Sequence, residues 1–177
     1  GDGRYVVFST ASKWLDYDFD LDPNSFGDEN NIEDIYVRDM FLPNSKSVRI
    51  SYNSNEVEIT SAGGGGCSEP TISHNGRYAA FVSANNQLIG SASDTNGTTD
   101  VFLRDRDVDN NGIFDELGSA GLVNRTITTR VSLAYNSSTN LSAQISGASS
   151  SPAISANGRF IAFVTATNNI TCFQLCL

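Results

Sequence analysis

Asp2-Gly3-Arg4-Tyr5-Val6-Val7-Phe8, Asn75-Gly76-Arg77-Tyr78-Ala79-Ala80-Phe81 and Asn157-Gly158-Arg159-Phe160-Ile161-Ala162-Phe163 are three versions of one phrase. Each reads as a tight Asx-Gly turn followed by a short apolar strand, with glycine supplying the positive φ that a tight turn requires. The glycines are spaced by 73 and 82 residues (76−3 and 158−76), a period that marks a repeat architecture.

More than the turn recurs. Ser68-Glu69-Pro70-Thr71-Ile72-Ser73 precedes the second turn and Ser150-Ser151-Pro152-Ala153-Ile154-Ser155 the third. Both read as strands entered through proline, which can sit at the start of a strand without breaking the ladder. Asp34-Ile35-Tyr36-Val37-Arg38-Asp39 matches Asp100-Val101-Phe102-Leu103-Arg104-Asp105 as a third strand, and Ser47–Ser51 matches Thr129–Ser132 as a fourth. No segment shows apolar spacing at i, i+3, i+4, so helices are not expected. Four antiparallel strands are too thin to bury both faces alone, so such units stack and cover one another, as β-propeller blades do. The predicted fold class is therefore all-β, built of four-stranded antiparallel propeller blades. Residues 1–62 form a blade lacking its first strand, 67–135 a complete blade with an insertion at 105–118, and 150–177 the start of a third. Closed propellers need about 4–8 blades, so an incomplete propeller or a fragment of one is expected, with open edges available for self-association.

Two phrases, Pro70–Phe81 and Pro152–Phe163, taken with Asp100–Asp105, resemble the PD40-type repeats of TolB-like bacterial β-propellers over nearly all of residues 1–170. Asn stands before Gly where the first copy has Asp, and residues 171–177 match nothing in the unit. The resemblance implies a bacterial protein. On that reading the Asn-x-Ser/Thr sequons at Asn96, Asn124, Asn136, Asn140 and Asn169 are chance features of a Ser/Thr/Asn-rich chain.

Composition excludes several function classes. The 177 residues are 39% hydrophobic and carry a formal net charge of −9, which disfavours a nucleic-acid surface or an anionic membrane. No run approaches the roughly 18–20 apolar residues of a membrane-spanning helix. Three cysteines, Cys67, Cys172 and Cys176, allow one disulfide at most and lack the four N/S ligands of a structural zinc site.

The insertion of the second unit carries the clearest chemistry. Asp107-Val108-Asp109-Asn110-Asn111-Gly112-Ile113-Phe114-Asp115-Glu116 follows the Asp-x-Asp-x-Asn-Gly-x-x-Asp pattern of a calcium loop. Calcium takes six to eight oxygens. Asp107, Asp109 and Asn111 alternate so that their side chains can converge, Gly112 permits the sharp turn, and the Ile113 carbonyl adds an oxygen. Asp115 or a water fills the ninth position. Position twelve is Gly118 in place of the bidentate glutamate of an EF-hand, which leaves Glu116 as the substitute. The alternative is a solvated acidic hairpin tip that binds no ion.

Other acidic stretches are weaker. Asp16-Tyr17-Asp18-Phe19-Asp20-Leu21-Asp22 alternates like a half-buried strand and lacks a turn glycine. Asp28-x-Asn30-x-x-x-Asp34 recurs as Asp94-x-Asn96-x-x-x-Asp100, where Asx side chains are expected to cap a turn, a weak cation site being the alternative. Catalysis finds little support: His74 is the sole histidine, no Gly-x-Ser-x-Gly elbow exists, and Gly63–Gly66 lacks the Lys-Ser/Thr of a phosphate loop. That glycine run reads as a flexible link, and Trp14, Tyr5, Tyr78 and Phe160 as blade core. The functional expectation is a calcium-stabilised, non-enzymatic binding or assembly module in the periplasm, on the cell surface or outside the cell, with a protein or glycan partner. A propeller portion of a secreted hydrolase and a subunit of a surface fibre are the alternatives.

Overall fold

The computed structural model describes residues 2–13, 15, 28, 30–90, 93–116, 125–136 and 141–167. Trp14, Asp16–Asp22, Gly118, Asn124, Asn140, Asn169, Cys172, Cys176 and the ending 171–177 lie outside them.

The protein is all-β, with several small antiparallel sheets, none of them closed. The middle sheet is a four-stranded meander of β4 (Cys67–Ile72), β5 (Tyr78–Ser83), β6 (Asp100–Asp105) and β7 (Ile127–Arg130), in that order. Before it comes a three-stranded sheet, β1 (Tyr5–Thr10), β2 (Asp34–Asp39) and β3 (Val48–Arg49); after it come two hairpins, β8 (Leu133–Asn136) with β9 (Leu141–Gln144) and β10 (Ser149–Ile154) with β11 (Ile161–Thr165). The phrases seen in the sequence occupy matching places. Tyr5 pairs with Asp39 and Thr10 with Asp34, as Tyr78 pairs with Asp105 and Ser83 with Asp100. In both Ser-x-Pro strands the register slips at one place, between Ser68 and Thr71 and between Ser150 and Ala153. Glu69 and Ser151 take positive φ there, +52° and +53°, as the extra residue of a bulge does.

Units are joined by one recurring contact. Gly3, Gly76 and Gly158 all have φ between +75° and +79°. A Cβ at Gly76 would lie within 3.0 Å of the Tyr5 ring, and one at Gly158 within 3.0 Å of the Tyr78 ring. Gly76 and Gly158 therefore each seat the aromatic side chain of the preceding unit. Beside each ring lies its neighbouring guanidinium: Arg4 over Tyr5 at 4.9 Å, Arg77 over Tyr78 at 4.8 Å and Arg159 over Phe160 at 5.7 Å. Arg4 and Arg77 are fixed by Asp39 and Asp105, both at 2.8 Å. The core lies at the first of these joints, where Ile35, Val37, Ile50 and Ile59 meet Cys67, Ala79, Phe81, Leu88 and Phe102, all nearly or fully buried. Each large apolar side chain sequestered there contributes about 1.5–3 kcal/mol.

Three local expectations are corrected. The fourth strand of the middle sheet runs over Ile127–Arg130 instead of Thr129–Ser132, because Ser132 turns inward to donate its hydroxyl to Asp100. The glycine run is tightly packed: a Cβ at Gly63, Gly64 or Gly66 would come within 3.0 Å of Asn85, of the Ala84 carbonyl or of the Glu33 backbone. It is thus a close-approach segment. Tyr5 packs against the core cluster as expected and Tyr78 lies half-buried over Gly158, but Phe160, expected in the blade core, is 57% exposed. The β8–β9 hairpin has no counterpart in the expected strand set; it enlarges the position held in the first unit by the single Tyr52–Glu58 bridge.

Candidate functional site

The acidic loop leaves β6 at its end and is shaped by its first carboxylate. Asp107 is 3% exposed and accepts the Asn111 amide at 2.9 Å on one oxygen and the Gly112 amide at 3.0 Å on the other. Gly112 turns with φ +84°, as its place in the pattern requires. The Asn111 side-chain amide then donates to Asp109 at 3.2 Å and to Glu116 at 2.7 Å, so these three side chains meet. Arg125 closes the group, 3.3 Å from Asp109 and 2.8 Å from Glu116. Hydrogen bonding from Arg125 holds the Glu116 carboxyl below the usual carboxylate range. The Ile113 amide donates to the Asn111 side-chain oxygen at 2.7 Å, while its side chain is exposed.

Asp115 goes elsewhere. Both its oxygens accept from Arg106 Nε at 3.0 Å, and Arg106 in turn donates to the Gly76 carbonyl at 2.7 Å. Arg106 lies 5.0 Å from the Phe114 ring, which stands 6.1 Å from the Tyr5 ring. The loop is thereby moored to the turn that carries the joint between units. Of the six residues singled out, Asp109, Asn111 and Glu116 are brought together, Asp107 organises their backbone, and Asp115 serves as the anchor.

A second acidic group lies where β2 begins, with Asp28 and Asp34 buried and Glu58 partly exposed. Asp28, Asp34 and Glu58 have carboxylate oxygens within 4.8 Å of one another. Arg49 stands among them, 3.5 Å from Asp28, 3.7 Å from Asp34 and hydrogen-bonded to Glu58. The guanidinium fills the place a cation would take. Asn30 caps the turn as the sequence suggests, accepting the Ile32 amide at 2.9 Å while donating to Asp34 at 2.7 Å and to the Ile59 carbonyl at 3.0 Å.

The same node is rebuilt one unit later. Asn96 accepts the Thr98 amide at 3.0 Å and donates to Asp100 and the Ile145 carbonyl, and Arg130 lies 3.6 Å from Asp94 and 3.5 Å from Asp100. Ser51 and Ser132 link Asp34 and Asp100 to the amides of Ile35 and Val101. The copies differ in their partners: Gln144 occupies the place of Glu58 and donates to Asp94 at 2.7 Å, while Leu133 stands where Tyr52 accepts from Arg49, and Phe102 where Tyr36 donates to Asp28. Burial pushes the carboxyls of Asp34 and Asp94 above the usual range. Both nodes are internal charge networks that hold the third and fourth strands together.

Sequence reasoning passed over the residues that lock one unit to the next. Arg104, 1% exposed, is held by Glu56 at 2.6 and 2.7 Å and by Thr126 and Thr128 at 2.9 and 3.0 Å. Glu56 lies in the turn after β3, so this pair crosses between sheets; Ser54 adds a 2.9 Å bond to the Thr128 carbonyl. Nothing at Glu56 announces this, and the equivalent Arg38 is exposed. The Arg-x-Ser signal shared by Arg49-Ile50-Ser51 and Arg130-Val131-Ser132 was available for the nodes. His74 is half-exposed with Nε2 4.0 Å from Asp2, and the buried Cys67 thiol is pushed up by burial. Neither arrangement activates a nucleophile. No family model matches the chain, nor does any curated protein or solved structure.

Proposed function

We propose that this chain is a run of β-propeller blades of the TolB-like kind, stabilised by calcium at residues 107–116, that works outside the cytoplasm as a binding or assembly module. The observation that carries the reading is the joint itself. Two successive interfaces use the same aromatic-on-glycine seat, and β4 packs against β1 and β2 much as β10 packs against β4, β5 and β6. Such stacking is how blades bury faces that a single sheet leaves bare.

Calcium has a specific role in this reading. Asp109, Asn111 and Glu116 supply side-chain oxygens, Asp107 supplies another, and the Ile113 carbonyl and water complete the shell. Asp115 stays with Arg106 and transmits the ordering of the loop to the Gly76 turn. The cation relieves repulsion among Asp107, Asp109 and Glu116 that Arg125 alone offsets in part.

Thermal melting in calcium and in excess chelator tests this. Saturation at about 100 times Kd stabilises by roughly 2.7 kcal/mol, or about 5–10 °C for a chain of this size. Asp109→Ala should abolish the difference while leaving the chelated melting temperature within about 2 °C. Equal melting with and without chelator, in protein shown to have been loaded with calcium, refutes the calcium role.

A further inference from the structure

The two charge nodes share one plan but are completed differently. In the first, Tyr36 donates its phenol to Asp28 Oδ2 at 3.4 Å, and the Tyr52 phenol accepts from Arg49 Nε at 3.1 Å and from its Nη2 at 2.9 Å. Phe102 and Leu133 hold those two places in the second node, so both hydroxyls are lost. The groups they would have met are left over. Asp94 Oδ2 and Arg130 Nε have no hydrogen-bond partner among the described residues, although the two side chains are only 3% and 8% exposed. Asp94 keeps Gln144 on its other oxygen, and Arg130 keeps Asp100 and the Ser93 carbonyl on its Nη atoms. The joint that follows shows the same bias. Ser149 N–H donates to the Thr99 carbonyl as Cys67 N–H does to that of Glu33, and the hydroxyls of Ser149 and Thr98 are buried without a partner where the first unit has Cys67 and Ile32.

We infer that the second node is a binding site for one buried water molecule, held between Asp94 Oδ2 and Arg130 Nε in place of the two phenol hydroxyls. It depends on neither the calcium loop nor the blade assignment. An ionised carboxylate only accepts and a guanidinium N–H only donates, so the occupant must do both. Charge narrows the choice. A metal ion on Asp94 Oδ2 would lie against the Arg130 guanidinium, whose Nη1 is 3.6 Å from the other Asp94 oxygen, and an anion on Nε would lie against Asp94 and Asp100, both buried. A neutral molecule that donates and accepts is what remains, and water is the one that fits the space two hydroxyls would fill. Energetics favour it as well, because a buried charged group left without a partner costs more than immobilising a water. The first node needs no water between Asp28 Oδ2 and Arg49 Nε, since its own phenols stand there.

A high-resolution crystal structure of the full chain is the direct test. It should show a density peak about 2.7–3.2 Å from both Asp94 Oδ2 and Arg130 Nε, and no peak at the corresponding place between Asp28 Oδ2 and Arg49 Nε. Phe102→Tyr should bring a phenol to Asp94, expel the peak and raise the melting temperature by about 2–4 °C, the shift of one added hydrogen bond in a chain of this size. With Asp94→Ala already in place, the same substitution should give no rise, because its hydroxyl then has no carboxylate to meet. If Phe102→Tyr does not fold, Leu133→Tyr serves instead: its phenol should take Arg130 Nε and displace the peak from the other side. Four results overturn the inference. They are no peak beside Asp94 and Arg130, a peak with six or more oxygens at about 2.3–2.6 Å, which would be a metal ion, an equal peak in the first node, or a peak that persists in Phe102→Tyr with the melting temperature unchanged or lower.

Discussion

Replacing the turn glycines with alanine separates the cost of backbone conformation from the cost of the joint. Gly76 and Gly158 have φ +78° and +75°, and Gly3 and Gly90 have +79° and +86°. All four substitutions incur the left-handed backbone penalty, about 1 kcal/mol for alanine. Only two meet a neighbour: a Cβ finds an aromatic ring within 3.0 Å at Gly76 and Gly158 and nothing within 4 Å at Gly3 and Gly90. Displacing a packed ring adds about 1–3 kcal/mol. Gly76→Ala and Gly158→Ala should therefore cost roughly 2–4 kcal/mol, and Gly3→Ala and Gly90→Ala roughly 1 kcal/mol. Urea titration with a common m-value reads the difference, and thermal melting should repeat it at about 2–4 °C per kcal/mol. A double-mutant cycle fixes the cause: with Tyr5→Ala in place, Gly76→Ala should fall back to about 1 kcal/mol, because no ring remains to be moved. If Gly76→Ala costs no more than Gly90→Ala, or if its cost is indifferent to Tyr5, the aromatic-on-glycine joint does not stabilise the fold.

Glu56→Ala should destabilise by about 3–5 kcal/mol, since it strips the carboxylate from a guanidinium that is almost fully buried, and Arg104→Met added to it should recover part of the loss in urea titration. A loss below about 1 kcal/mol would show that Thr126, Thr128 and the turn carbonyls suffice for Arg104. Glu58→Gln should be tolerated within about 1 kcal/mol, because the second node already works with Gln144 at that place; a larger loss in the same assay refutes the equivalence of the two nodes. Burial raises the carboxyl pKa values of Asp34 and Asp94 above the ordinary 3.8, so the folded protein holds these protons more tightly than the unfolded chain. Their stabilisation is complete below the ordinary value and lost as pH rises through the raised one. Asp94→Asn should accordingly make stability fall less steeply as pH rises above the ordinary carboxylate range, and an unchanged slope in urea midpoints excludes the effect.

The repeats were legible because turns and strand periodicity are local. Asx-Gly-Arg-aromatic, Ser-x-Pro and Asp-x-aromatic-x-Arg-Asp each specify a short segment without reference to the rest of the chain, and the pairing of Ile72 in β4 with Ala79 in β5 follows from the turn between them. The acidic loop was readable for the same reason: the Asp107-to-Gly112 bonds span five residues. Less visible was the use of Asp115. Position nine of the pattern suggested a ligand, and the competing Arg106 becomes relevant only once Asp115 folds back against the residue that follows β6.

By itself, the sequence determined an all-β chain of repeated strand units, the conformation of the turns at Gly3, Gly76 and Gly158, the acidic loop, and the Asx caps at Asn30 and Asn96. Only the tertiary structure decided that Gly76 seats Tyr5 and Gly158 seats Tyr78, that Glu56 reaches Arg104 across sheets while the equivalent Arg38 stays exposed, and that Val82 is covered where Val164 is open. The physical reason is range. Dihedral preferences and bonds over a few residues are set by neighbours in sequence, whereas burial and ion pairing belong to whichever unit lies alongside, so two identical phrases acquire different environments according to what packs on them.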